Sequence, residues 1–295
     1  MAYKKFICKN CLGKDRKNRR FRRLREELLT INQSCRHFKG VSNLRKLRCF
    51  PYFCKLFGIK IRKKMARRNK LQKFAEVLSF PNVYENEDVK ISTLIGKNGE
   101  IVQLRGVWCE KHFANAQPLT LELACGGGEY SLGLGRMYPS RNFVGVDIKG
   151  ARIWKGARVG LKESLHNVAF LRTRIEKITS FFAENEVDDI WITFPDPFLR
   201  ESKENRRLTS PPFLTEYRKI LKKDGTVHLK TDSPELYEFT LASIAADPSC
   251  TLLYQNSDIY GSLPLEMPEL ELKTAYEIMH LAAARTIKYI RFKIN

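Results

Sequence analysis

The chain has 295 residues, 43% of them hydrophobic, and a formal charge of +21. That content can bury the core of one good-sized domain with an appendage, and the absence of an 18-residue apolar run or a secretory signal excludes a membrane-spanning or secreted reading. The charge is not spread evenly: residues 1–64 hold 21 Lys and Arg against three acids, whereas residues 65–295 hold 32 against 29.

Residues 1–64 therefore read as a basic extension outside the folded body. Its charge run from Arg16 to Arg25 suits either a disordered tail or an RNA-binding arm. Five of the eight cysteines lie there, Cys8, Cys11, Cys35, Cys49 and Cys54. Cys8 and Cys11 with Cys35 and His37 have the residue types of a zinc site, but the second pair lacks tight ligand spacing, so no metal is expected. Cys109, Cys125 and Cys250 show no pairing pattern and fit a reduced, cytoplasmic protein. Met65-Ala-Arg-Arg-Asn-Lys70 is a plausible translation start, which leaves open that residues 1–64 belong to no native product.

Patterned sequence begins right after it. Leu71–Leu78 is a short amphipathic helix ended by Phe80-Pro81, because the residue before proline is pushed out of helical geometry. Asn82–Glu110 connects, with short strand-like stretches around a Gly96–Gly99 turn, so that residues 65–118 precede the main domain at 119–295. There, strands at Leu119–Ala124, Asn142–Asp147, Val168–Arg172, Val187–Phe194 and Thr226–Thr231 alternate with helices at Gly128–Met137, Ala151–Ser164, Ile175–Ala183 and Pro212–Leu221. A turn is expected at Asp224-Gly225. The helix Pro234–Ala246, the strand Thr251–Gln255 and a β-branched run at Thr286–Ile294 complete a doubly wound, mostly parallel α/β sheet of seven strands.

The first strand, Leu119-Thr-Leu-Glu-Leu-Ala124, breaks into Cys125-Gly-Gly-Gly128 and turns helical. Three glycines leave the backbone free for positive φ and for a ligand lying directly on the main chain. Asp147 ends the second strand, where a carboxylate would meet a ribose. A dinucleotide fingerprint would need a third glycine where Ser131 stands, so the pyrophosphate reading is weak. Glu122, just before Gly126 and Gly128, suits a ligand carrying an ammonium or sulfonium charge, and S-adenosylmethionine is such a ligand. The carboxyl ends of the strands gather Glu122, Asp147, Asp196 and Asp232 on one rim. Two prolines in Phe194-Pro-Asp-Pro197 aim Asp196 rigidly at the cofactor's reactive end, where it could accept from a substrate's ring N–H and amino groups. Arg200-Glu-Ser-Lys-Glu-Asn-Arg-Arg207 adds a basic loop suited to phosphate.

Glu122-Leu-Ala-Cys-Gly-Gly-Gly128, Phe194-Pro-Asp-Pro197 with Arg206-Arg-Leu208, Thr231-Asp232 and Thr274-Ala-Tyr-Glu277 together resemble the bacterial tRNA (guanine-N7-)-methyltransferases, from about Leu71 to the end of the chain. The resemblance implies a Rossmann-like class I methyltransferase that moves a methyl group from S-adenosylmethionine to N7 of a guanine in tRNA, as monomer or homodimer. It implies that Glu122 and Asp147 hold the methionine and ribose ends of the cofactor, and that Asp196 is the active-site carboxylate beside it. Arg200, Asp232, Thr274 and Glu277 would bind the tRNA guanosine. Where the family often has Asp-Ala near the adenine this chain has Arg174-Ile175, so Arg174 takes the adenine-side position. Phe198-Leu199 stands where Trp-Pro is more usual. Two rival readings stay open: a methyltransferase acting on another substrate, and a non-catalytic RNA-binding protein that has kept the fold.

Overall fold

The computed structural model describes residues 69–86 and 91–295. The basic extension, its proposed RNA-binding arm, the Cys8, Cys11, Cys35 and His37 group and the start at Met65 lie outside the described residues. Among the described residues no helix is long and apolar enough to cross a membrane, and no cluster of His, Cys, Asp and Glu could hold a metal ion.

The first described helix, α1 (Lys70–Val77), starts on a reciprocal cap. Asn69 accepts from the Gln72 backbone at 2.8 Å while Gln72 accepts from the Asn69 backbone at 3.0 Å, which satisfies two orphan donors of the first turn. Three short strands follow, β1 (Val83–Glu85), β2 (Leu94–Ile95) and β3 (Ile101–Val102). The long strands are β4 (Leu119–Leu123), β5 (Asn142–Asp147), β6 (Val168–Arg172), β7 (Val187–Thr193), β8 (Leu221–Thr231), β9 (Cys250–Asn256) and β10 (Lys288–Ile294). Between them stand α2 (Glu129–Met137), α3 (Gly150–Lys162), α4 (Pro211–Ile220), α5 (Pro234–Ala246) and α6 (Ala275–Ala282).

All ten strands form one sheet in the order β3-β2-β1-β6-β5-β4-β7-β8-β10-β9. Pairing is parallel from β1 to β8, and β10 inserts antiparallel between β8 and β9. Every residue of β4 and β5 is buried, as a strand covered on both faces requires, including Thr120 and Glu122, the polar residues that alternate with leucine along β4. The chain runs outward from β4 through β5 to β6, then returns to β7 on the other side of β4. The carboxyl ends of β5, β4 and β7 therefore meet at the topological switch, where open α/β sheets bind ligands.

Four local expectations need correction. The sheet has ten strands because the strand-like stretches of 82–110 pair as β1–β3 along the β6 edge, outside the seven expected. Ile175–Ser180 is a 3₁₀ turn closed by a bond from the Phe181 N–H to the Ile178 carbonyl three residues back, with Lys177 at a non-helical φ of −111°, and no α-helix extends to Ala183. The Asp224-Gly225 turn lies inside β8, where Asp224 takes φ 70° and the pairing with β7 shifts register. Thr274 to Glu277 opens a helix, α6, that the strand-and-helix pattern had not placed.

Candidate active site

The cofactor half of the rim is built from β4, β5 and the loop between β4 and α2. Gly126 (φ 56°) and Gly128 (φ 67°) take left-handed backbone, and a Cβ on Gly128 would stand 2.3 Å from the Phe170 ring. Only glycine fits both the conformation and the space at 128. At Gly126 the place of a Cβ meets only the Ala124 carbonyl, at 4.0 Å, whereas at Gly127 it packs against Lys155 and Glu129 at 3.7–4.0 Å.

Glu122 is buried, and every donor to it is neutral. The Ser131 backbone donates at 2.8 Å, the Ser131 hydroxyl donates to the same oxygen, and the Thr193 hydroxyl donates to the other at 2.7 Å. Burial outweighs these bonds and pushes the carboxyl up to about 7. Asp147, also buried, accepts from the Gly126 backbone at 2.9 Å and the Lys149 backbone at 2.7 Å, which fixes the carboxylate where β5 ends. Two buried carboxylates held by neutral groups, beside a glycine loop least crowded at Gly126, fit the ammonium and ribose ends of S-adenosylmethionine. Arg174, two residues past the end of β6, is exposed.

The reacting half begins where β7 ends. Phe194 has φ 47° and Phe198 φ 41°, left-handed values that bulky side chains rarely adopt, so the turn that carries Asp196 is strained at both ends. The Phe194 N–H donates to the Lys230 carbonyl of β8 at 2.8 Å, and Asp196, exposed, accepts from the Phe198 backbone at 3.1 Å. Arg207, read as part of a basic phosphate loop, is buried. Its guanidinium donates to the carbonyls of Pro197 and Phe198 at 3.1 and 3.2 Å and covers the Phe239 ring, bracing the turn. Arg200 is exposed and opens the 3₁₀ turn Glu201–Arg206.

Asp232, just beyond β8, pairs with Arg285 at 2.7 Å and lies 3.4 Å from His280 of α6, whose ring stacks on Phe194 with 6.0 Å between centroids. Thr274 caps α6 by accepting from the Glu277 backbone at 3.2 Å. Glu277 is fully buried and pairs with Lys230 at 2.8 Å. The structure thus gathers Glu122, Asp147, Asp196 and Asp232 at the ends of four neighbouring parallel strands, and it places Glu277 inside, against the sheet. Ser131, Thr193, Arg207 and Lys230 were not singled out as single residues. Ser131 and Thr193 carry no motif signal, Arg207 was legible only as charge, and Lys230 is one of several polar residues of β8 with nothing to mark it.

Residues 116–288 match a family model described as "Putative methyltransferase". A tRNA (guanine-N(7)-)-methyltransferase of Christiangramia forsetii is 43% identical over 231 residues, covering 78% of this chain and 100% of the relative. The protein so named in Bacteroides thetaiotaomicron is 44% identical over 77% of this chain and 86% of its own length. This chain belongs to the tRNA (guanine-N(7)-)-methyltransferase family. Among solved structures, a 16S rRNA methyltransferase, KamB, aligns with a TM-score of 0.51 at 14% identity, covering 66% of this chain and 96% of KamB, a likeness of fold. The methyltransferase family implies S-adenosylmethionine as methyl donor, and the residues at the rim suit it.

Proposed function

We propose that this protein transfers a methyl group from S-adenosylmethionine to N7 of a guanine in tRNA, with Asp196 as its catalytic residue. The observation that carries the reading is the rim itself. Glu122, Asp147 and Asp196 stand at the ends of three adjacent parallel strands, in a chain 43% identical to a tRNA (guanine-N(7)-)-methyltransferase along that relative's whole length.

When bound, the cofactor supplies an electrophilic methyl group on a sulfonium sulfur. Glu122 would hold its ammonium end and Asp147 its ribose hydroxyls, while Gly126 would let it approach the loop backbone, Gly128 would shape the loop, and Arg174 would stand on the adenine side. Guanine N7 offers an in-plane lone pair, so no proton has to be removed before attack, and the protein's task is positioning and electrostatics. The ring becomes cationic as the bond to N7 forms, which makes its N1–H and amino group stronger donors. Asp196 accepting from them is therefore worth more in the transition state than in the ground state. The strained Phe194–Phe198 turn and the Arg207 brace hold that carboxylate in place before substrate arrives. Arg200, Asp232 and Thr274 would contact the guanosine. Incubation with labelled S-adenosylmethionine and unmodified tRNA, followed by nucleoside analysis, should give 7-methylguanosine. Another methylated nucleoside, or label carried only by protein or small molecules, sinks the assignment.

A further inference from the structure

The resemblance makes Glu277 a guanosine ligand, yet the structure gives its carboxylate other work. Lys230 and Glu277 are both fully buried and their charged groups lie 2.8 Å apart. Lys230 also donates to the carbonyls of Leu270 and Leu272, at 2.9 and 3.0 Å. One side chain from the interior of β8 thus reaches three groups in a single stretch, which comprises the 3₁₀ turn Pro268–Glu271 and α6. The Tyr260 hydroxyl donates to the same Glu277 oxygen at 2.7 Å, and the second oxygen is closed off from the surface without a bond. Glu277 has no exposed surface, so a base could reach its carboxylate only if the protein packed around it moved aside.

The held stretch touches both halves of the rim. The Tyr130 hydroxyl donates to the Glu269 carbonyl at 2.8 Å, and the Ala275 N–H donates to Glu129 at 2.7 Å, so the first turn of the cofactor helix α2 is tied to it. At its far end α6 carries His280 to Asp232 and Phe194. The Lys230 backbone, meanwhile, accepts from Phe194 at the start of the Asp196 turn.

We propose that Lys230 and Glu277 are positioning residues: a buried clamp that sets residues 268–282 against the cofactor helix and the Asp196 turn, Glu277 acting on the guanine through this stretch and not by touching it. The inference rests on the guanine-N7 reading for its kinetic arm. The test compares wild type, Glu277→Gln and the double variant Lys230→Met with Glu277→Gln, in single-turnover methylation, KM for tRNA and thermal unfolding. Glu277→Gln strands the lysine and should slow methylation about tenfold or more, with KM for tRNA changed by less than about threefold. Removing both charges takes away the stranded charge, so thermal stability should recover, but it also removes the lysine's bonds to the Leu270 and Leu272 carbonyls, so methylation should stay about tenfold or more below wild type. A double variant that methylates within about threefold of wild type overturns the clamp, as does a single variant whose whole loss lies in KM.

Hydrogen exchange supplies an arm that needs no activity. If the clamp holds, amides of Ala275–Ala282 in the wild type exchange as slowly as those of β8, and faster exchange overturns it, also where neither variant folds. Wild type that forms no 7-methylguanosine defeats the functional reading and leaves the exchange rates to decide the clamp.

Discussion

Glu122 at the rim and Glu277 inside are both buried glutamates, and the chain treats them in opposite ways. Glu122, in the cofactor half, is met by Ser131 and Thr193, all neutral donors, and its carboxyl is pushed up to about 7 by burial. Glu277, in the substrate half, is met at 2.8 Å by Lys230. A buried carboxylate whose compensation comes from inside the protein is part of the framework. One that lacks a cation is poised to receive a cation from outside, and the ligand assigned to that half carries one. The same contrast extends to the aspartates. Asp147 is fixed by backbone N–H groups no more than 21 residues away, whereas Asp232 depends on Arg285, supplied by a distant part of the chain.

The largest effect that could break this comparison concerns stability. Removing one partner of a buried ion pair typically costs about 3–5 kcal/mol, so Glu277→Gln should lower the free energy of unfolding in urea by about that much. Glu122→Gln removes a charge that nothing opposes, and at pH 8 it should leave stability unchanged or raised. Equal losses in the two variants would erase the distinction. Next in size is Asp196→Asn, which keeps the side chain's volume and removes its charge. Single-turnover methylation should fall about 10²–10³-fold, the loss typical of one electrostatic contact to a developing charge. Cofactor affinity should change much less, and a parallel loss of both would move Asp196 into the cofactor half.

How much of this was legible depended on how local each feature is. Glu122, Asp147 and Asp196 could be placed from sequence because a strand followed by glycines or prolines fixes its own end. The two-residue strands β2 and β3 carry no period to read. The 3₁₀ turn at Ile175–Ser180 has its two isoleucines three residues apart, a spacing that suits an α-helix and a 3₁₀ turn alike. Thr274 and Glu277 have the spacing of a helix cap, and Thr274 does cap α6. What the spacing could not say is that the Glu277 side chain turns inward to a lysine 47 positions earlier, since that depends on where β8 and α6 come to rest. Arg207 was hidden for the same reason: a charge run shows which residues are basic, and burial against Phe239 picks the one that braces the turn.

Within the cofactor half, Asp147→Ala should weaken S-adenosylmethionine binding by about 1.5–3 kcal/mol, the loss expected for hydrogen bonds to a charged group. The carboxylate keeps acceptor capacity beyond the Gly126 and Lys149 backbones, enough to take ribose hydroxyls. Calorimetry that returns an unchanged Kd would remove Asp147 from the ribose role.

The smallest effect is the most specific to the comparison, and it is a dependence on pH. The Glu122 carboxyl is raised in the fold, from an ordinary 4.5 to about 7, because burial disfavours its charge. A raised acid favours the folded state while protonated, so its contribution to stability is fully present below about 4.5 and is lost as pH rises through about 7. Cofactor binding should run the other way. A cationic ligand selects the ionised carboxylate, so below pH 7 a proton must leave Glu122 before the ligand's ammonium can be held. Affinity should then drop by up to about tenfold, 1.4 kcal/mol, for each pH unit below 7. The ligand's own amine also titrates, near 7.7–8.0 by its ordinary α-amino value, so the reference is Glu122→Gln, which keeps that titration and lacks the carboxyl's. Between pH 6 and 8 the ratio of the two dissociation constants should change in favour of wild type as pH rises, with wild type releasing a proton on binding at pH 6 and the variant none. A ratio flat across that range would mean that Glu122 meets no cation, and the contrast with Glu277 would lose its functional half.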